Sequence, residues 1–301
     1  MILHETAGSQ GGAGLEKKGQ TRIAAGAPGT DRDPGCMAVD MHVHTTWSDS
    51  RIRVPDLLRH AEHLRIGVAI TDHNEIGGVL EAYRTPPRVP VIPGIEVSAA
   101  EGPHILLYFE TVEELESFFT SHILPNRDES PFMAIRLSTA ELLDRAGEYS
   151  CVRVAAHPYG YAVLNRGLLK CIENGTLPGE LISRVDALEI LCGGMSHRLN
   201  QRAAGYAERQ GAGITAGSDA HLLRSAGTVL TLARAGSIAE FLGQVRTGKV
   251  RALGRGAGPL EKGLTAGVIG AKFLPYTLPS LRVHYRQNVP RIPASLRRFF
   301  R

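Results

Sequence analysis

The stretch "VDMHVHTTWSDS", residues 39–50, sets two histidines, His42 and His44, two positions apart, with the carboxylate of Asp49 five residues beyond the second. In an extended strand alternate side chains share a face, so His42 and His44 project together while Val39, Met41 and Val43 face a core on the other side. Paired imidazoles followed by a carboxylate are donors suited to a divalent metal.

Outward from this run the chain alternates short apolar segments with amphipathic ones. Strand candidates are 38–44, 67–71, 89–98, 104–109, 151–156, 186–191, 213–217 and 227–233; helix candidates are about 54–65, 111–121, 133–147, 197–210 and 237–247, several opened by Pro, Thr or Ser. Alternation of this kind predicts a parallel α/β sheet with helices outside it. Seven or eight strands in one domain predict a closed barrel, in which chemistry collects where the strands end.

The chain has 12 histidines, and six of them fall at those places: His42, His44, His73 in "AITDHN", His104 in "EGPHILLYF", His157 in "VAAHPYG" and His221 in "TAGSDAH". Asp49, Glu96 in "PGIEVSA" and Asp219 share them. Nine such donors exceed what one four- to six-coordinate ion can use, so a cluster of two or three ions is expected. His60 and His63 in "LLRHAEHL" read instead as the solvated side of a helix, and His4, His122 and His284 belong to no motif. His197 in "GGMSHRLNQ" follows a strand and is a candidate to face the site.

Composition, 43% hydrophobic and 21% charged over 301 residues, fits a globular protein with one large α/β domain or two small ones. No apolar run reaches the roughly 18 to 20 residues of a membrane span, and the first residues lack a secretory signal, so the cytoplasm is expected. Four cysteines, Cys36, Cys151, Cys171 and Cys192, form no C-x-x-C pair and argue against a disulfide framework or zinc ribbon. There is no P-loop, G-x-S-x-G elbow or H-E-x-x-H. Residues 1–36 carry no apolar period and are expected not to fold, and translation starting at Met37 would omit them. Residues 255–301 hold nine Lys or Arg against Glu261 alone, a charge of +8, so with a whole-chain charge of +4 the body carries −4. This tail reads as a basic appendage after a domain spanning 37–254. It would either pack on the body and solubilise its end, or meet an RNA backbone or an anionic membrane surface.

At "DMHVHTTWSDS", "AITDHNEIGG", "VIPGIEVSA", "VAAHPYG" and "ITAGSDAH" the sequence resembles the PHP family, named for its polymerase and histidinol phosphatase members, over roughly residues 38–254. The resemblance implies a distorted TIM-like barrel of about seven βα units and a trinuclear site. The first metal would take His42, His44, Glu96 and Asp219, the second Asp49, His73 and His221, and the third Glu96, His104 and His157, with Glu96 bridging. The chain departs from the family pattern in its short segment between Glu96 and His104, in Asn74 where an aspartate often stands, and in Cys192 where an asparagine often does.

The resemblance further implies metal-dependent phosphoester hydrolysis, of a nucleotide, a short RNA 5′ end or a small phosphorylated metabolite. Clustered Mn²⁺, Zn²⁺ or Fe²⁺ would generate hydroxide near neutral pH and clamp the phosphoryl oxygens. Asp49, Arg166 and His197 are the expected catalytic side chains, with Lys170 and Arg198 as further cations beside the substrate. The alternatives are amide or carbamate hydrolysis on the same site, and a barrel kept as a non-catalytic binding module.

Overall fold

The computed structural model describes residues 23–24, 35–160 and 165–288. Its strands are β1 (Ile23–Ala24), β2 (Cys36–Val43), β3 (Gly67–Ile70), β4 (Val91–Ser98), β5 (His104–Tyr108), β6 (Val152–Ala155), β7 (Ala187–Cys192), β8 (Gly213–Gly217), β9 (Val229–Arg234) and β10 (Arg251–Gly254). Its α-helices are α1 (Val54–Leu64), α2 (Gly77–Ala82), α3 (Val112–Phe118), α4 (Thr139–Gly147), α5 (Leu168–Glu173), α6 (His197–Gln210), α7 (Ile238–Arg246), α8 (Pro259–Phe273) and α9 (Thr277–Asn288).

One sheet runs in the order β1-β10-β9-β2-β3-β4-β5-β6-β7-β8. It is mixed, which corrects the all-parallel expectation. β2, β3 and β4 are parallel neighbours, as are β6, β7 and β8, but β5 is antiparallel to both β4 and β6. The connection 99–103 is too short for a crossover, so β4 can only turn back on itself as a hairpin. β9 likewise pairs antiparallel with β2 and β10.

The last strands curl back to the first. Asp219 N donates to His42 O at 2.8 Å and His44 N to Ala220 O at 3.1 Å, which nearly closes the sheet into a barrel. This approach requires Gly217, because a Cβ there would lie 2.4 Å from that of His42. β2 is consequently buried on both sides. Val39, Met41 and Val43 are 0% exposed in the core, and so are Asp40, His42 and His44 on the other face. That second face looks into the barrel, since His42 meets Glu96 of β4 and Glu189 of β7, strands that do not pair with β2.

Inside the extension expected not to fold, Ile23–Ala24 pairs with Ala252–Leu253 of β10; residues 1–22 and 25–34 lie outside the described residues. The basic tail is helical through residue 288. Lys262 Nζ donates to Met195 O at 2.8 Å, Phe132 packs edge-on against Phe273 and Tyr276, and buried Val283 joins Met133 and Ala134. Arg282 pairs with Glu129 at 3.0 Å and Arg286 with Asp128. Among the described residues no helix is long and apolar enough to cross a membrane.

Candidate metal centre

The strand ends deliver the donors to one rim. His42 lies in β2 with His44 just past it, His73 follows β3, Glu96 lies near the end of β4, His157 follows β6, and Asp219 and His221 follow β8. His104 opens β5, and because β5 runs antiparallel its start lies at the same rim, with His104 opposite Ser98. All nine expected donors are brought together, none more than 8% exposed.

Glu96 is the hub. Its Oε1 lies 2.9 Å from His104 Nδ1 and 3.0 Å from His157 Nε2, and its Oε2 lies 3.4 Å from Nε2 of both His42 and His44 and 3.0 Å from His73 Nδ1. The last contact lacks hydrogen-bond geometry, and both of its atoms are buried without a hydrogen-bond partner. Such lone pairs suit a cation between them. Asp219 Oδ1 adds contacts of 3.6 Å to His42 Nε2 and 3.3 Å to His44 Nε2, which are themselves 3.1 Å apart. Tetrahedral ligands at bond lengths of about 2.0–2.2 Å stand about 3.3–3.6 Å from each other, so His42, His44 and Asp219 have the spacing of one metal's shell, with Glu96 Oε2 beside both imidazoles. A second group forms around Asp49, with His221 Nε2 at 3.1 Å, His73 Nε2 at 3.6 Å and His44 Nδ1 at 3.9 Å. Glu96 and His104, with His73 or His157, make a third.

Burial opposes ionisation of the carboxyls, yet the imidazoles prevail. His221 and His73 lower the pKa of Asp49, the histidines around Glu96 hold it well below the usual range, and His42 with His44 does the same for Asp219. His44 is pushed down to about 4 by burial and by neighbouring His221 and His73, leaving a neutral imidazole. Against their own burial, Asp49 raises His221 to about 9, and Glu189, Glu96 and Asp219 raise His42 well above its ordinary value. A cation bound there would compete with protons for those two imidazoles.

Sequence reasoning missed the groups that hold the donors. Glu189 Oε1 accepts from His42 Nδ1 at 3.0 Å and Oε2 from His157 N at 2.7 Å, fixing two rings at once. Asp40 accepts from the backbone N–H groups of His42, Ser218 and Gly227 and from the Ser218 hydroxyl; burial raises its pKa to about 6. Asp72 anchors the 45–48 turn through Thr45 and Ser48, and burial likewise raises it to about 6. The signals were present: Asp40 alternates with His42 and His44, and Glu189 is the acid inside the apolar run "ALEIL".

Asn74 has φ +50, and its amide donates to Pro131 O at 2.9 Å while its Oδ1 accepts from Ser98 N at 2.9 Å. An aspartate could accept but not donate, so asparagine fits this loop. His157 and Asp219 also have positive φ, at 28° and 53°, backbone cost concentrated at the site.

Arg166 reaches the cluster, its Nη1 2.8 Å from His104 Nε2 and 3.1 Å from Met133 O. His197 does not. Ser196 caps α6 by accepting from Leu199 N, which starts the helix there and leaves His197 and Arg198 exposed. Lys170 lies half-buried in α5. His60 is half-buried rather than solvated, its Nε2 3.1 Å from Ala226 O, while His63 is exposed. Cys192 is buried with Sγ 3.8 Å from Asp219 Oδ2, and all four cysteines are free thiols.

Two family models match the sequence, the PHP domain over residues 40–172 and a PHP-associated region over residues 197–250. The chain belongs to the PHP family. Its PHP domain carries seven of the nine rim donors, and the PHP-associated region carries Asp219 and His221. Among curated proteins none matches. Among solved structures the fold is similar to PsfC from Pseudomonas syringae, with TM-score 0.52 and 18% identity over 79% of this chain and 98% of that one. It is similar also to a two-domain protein from Bacteroides vulgatus containing a predicted PHP-like metal-dependent phosphoesterase, with TM-score 0.50 and 13% identity over 80% and 70% of the two chains. A third is Endonuclease Q in complex with a 27-mer duplex carrying an abasic lesion, with TM-score 0.58 and 16% identity over 73% of this chain and 60% of that longer one. The nearly closed sheet of this chain is the distorted TIM-like barrel of a PHP domain.

Proposed function

We propose that the rim holds two or three divalent ions and hydrolyses a phosphate ester of a nucleotide, a nucleic-acid end or a small phosphorylated metabolite. The observation that carries this reading is the convergence of nine buried imidazoles and carboxylates, with His42, His44 and Asp219 at metal-ligand spacing and Glu96 beside the first two. Asp49, His73 and His221 would hold the second ion, and Glu96, His104 and His157 the third, with Glu96 shared. Mixed imidazole and carboxylate donors suit Mn²⁺, Zn²⁺ or Fe²⁺. Ions bound there would lower the pKa of water and neutralise phosphoryl oxygens.

The chain's own residues supply position. Glu189 orients the His42 and His157 rings, Asp40 ties β2 to the loop after β8, and Asp72 fixes the turn that presents Asp49. Arg166 puts a fixed positive charge beside His104, where a phosphoryl oxygen would meet it. His197, on the exposed first turn of α6, has no part in this reading. The Endonuclease Q complex with duplex DNA supports a phosphate-backbone substrate. In the described part of the tail, Arg282 and Arg286 pair with barrel acids, which favours packing over an RNA or membrane contact there.

The test is to assay the purified chain with Mn²⁺ against nucleotides, 5′-phosphorylated RNA, histidinol phosphate, and carboxyl and carbamate esters. Phosphate release that chelator abolishes supports the proposal; hydrolysis confined to the carboxyl or carbamate esters sinks it.

A further inference from the structure

Thr46 and Trp47 are the exposed pair in an otherwise buried run from Ala38 to Ser50. Trp47, the chain's only tryptophan, is 41% exposed at the rim, two residues before Asp49. It is nonetheless held in place. Its Nε1 donates to Glu81 Oε2 at 2.6 Å and its backbone N to Thr45 Oγ1 at 3.2 Å. One ring face lies on the backbone of Gly77, where an added Cβ would fall 2.2 Å from Cε3, so only glycine admits the ring there. The same turn is clamped by Asp72 through Thr45 and Ser48. The result is an indole held by a hydrogen bond and by contact with Gly77, with 41% of the residue still exposed, on the loop that delivers Asp49.

We propose that Trp47 is a stacking platform for the nucleobase of a nucleoside phosphate whose phosphoryl group lies at the metal centre. This deepens the phosphoesterase reading and rests on it. Two residues of chain span at most about 7 Å, so the backbone that carries the indole is the same short turn that presents Asp49 to the rim. A pre-ordered indole loses little rotamer freedom on stacking, and every base offers a π face. Lys272 of α8 lies across the turn, its Nζ 3.5 Å from Thr46 O, and places positive charge near a stacked nucleotide. The chemistry is shared by a free nucleotide and by a base at the end of a strand.

Because Trp47 is the sole tryptophan, its emission reports the site directly and without turnover. The full chain is titrated with AMP, a short 5′-phosphorylated single-stranded oligonucleotide and glycerol 3-phosphate. Saturable quenching by AMP assigns a free nucleotide, and quenching by the oligonucleotide alone assigns a strand end; either sustains the platform. No change with either, or an equal change with glycerol 3-phosphate, overturns it. In turnover, Trp47→Leu should narrow the kcat/KM preference for AMP over glycerol 3-phosphate about tenfold, and Trp47→Phe should retain most of it. An equal loss on both substrates would mean that Trp47 only shapes the turn. If no phosphate ester is hydrolysed at all, the phosphoesterase reading fails while the emission titration still decides the stacking.

Discussion

The barrel and the two helices that follow it put the same residue type to opposite uses. Leu57, Leu106 and Leu142 are fully buried in the barrel, whereas Leu260, Leu274, Leu278 and Leu281 stand 58–80% exposed on and between α8 and α9, and α8 buries no residue. The barrel is held by apolar burial, worth about 25 cal/mol per Å² removed from water. The tail is held by a few polar contacts and the small cluster around Val283. What differs is how firmly each region fixes its side chains, and the nine rim donors all belong to the firm one.

If that division is real, the largest effects come from the rim and leave stability alone. Asp219→Asn and His44→Ala should each lower phosphoesterase activity by more than about a hundredfold, beyond the 10–100-fold usual for groups that only orient ligands. Their thermal unfolding should stay near that of the unaltered chain, and His63→Ala should be silent in both assays. Near-normal turnover by either rim variant in saturating metal would refute the ligand sets, and fewer than about one ion per chain by elemental analysis would do so independently.

A matched pair of leucines sharpens the contrast. Leu57→Ala empties a closed site and should destabilise the fold by about 2–5 kcal/mol, whereas exposed Leu278→Ala should stay within about 0.5 kcal/mol. Urea unfolding measures both. Equal losses would mean that the tail is as integral as the barrel.

Glu189→Gln comes next. The amide keeps the shape but not the charge that draws the His42 and His157 groups, so activity or metal affinity should fall about 10–100-fold with unfolding little changed. A purely structural role would lower stability and leave metal affinity untouched.

Legibility in the sequence follows the same line. Eight of the nine strands of the body, β2 to β9, could be placed because each is an apolar run between turn residues, and the nine donors because they sit in short motifs at the strand ends; β10 (Arg251–Gly254) was missed. The direction of β5 was missed, since pattern shows that a strand exists but not which way it runs; only the short connection 99–103 carried that information. Glu189 and Asp40 were missed because a lone acid in a strand reads as patterning until its partners, far away in sequence, are known. α8 and α9 were missed because Gly263, Gly267 and Gly270 and the prolines argue against helix by propensity.

The smallest expected effect lies in the ion pairs that tie α9 down. Arg282 and Glu129 are 70% and 63% exposed in their side chains, and Arg286 is 60% exposed against Asp128 at 15%. Exposed pairs contribute about 0–1 kcal/mol each and weaken as salt screens them. The double variant Arg282→Gln, Arg286→Gln should therefore barely move the unfolding midpoint. The amides of α9 should nonetheless exchange faster, because two of the contacts that hold the helix alongside the Val283 cluster and the Ser130–Ser280 hydrogen bond are then gone. The unaltered chain at about 1 M salt should show the same faster exchange, since screening removes what the substitutions remove. A drop in midpoint as large as that of Leu57→Ala would mean that α9 unfolds with the barrel, and the two regions would have to be treated as one cooperative unit.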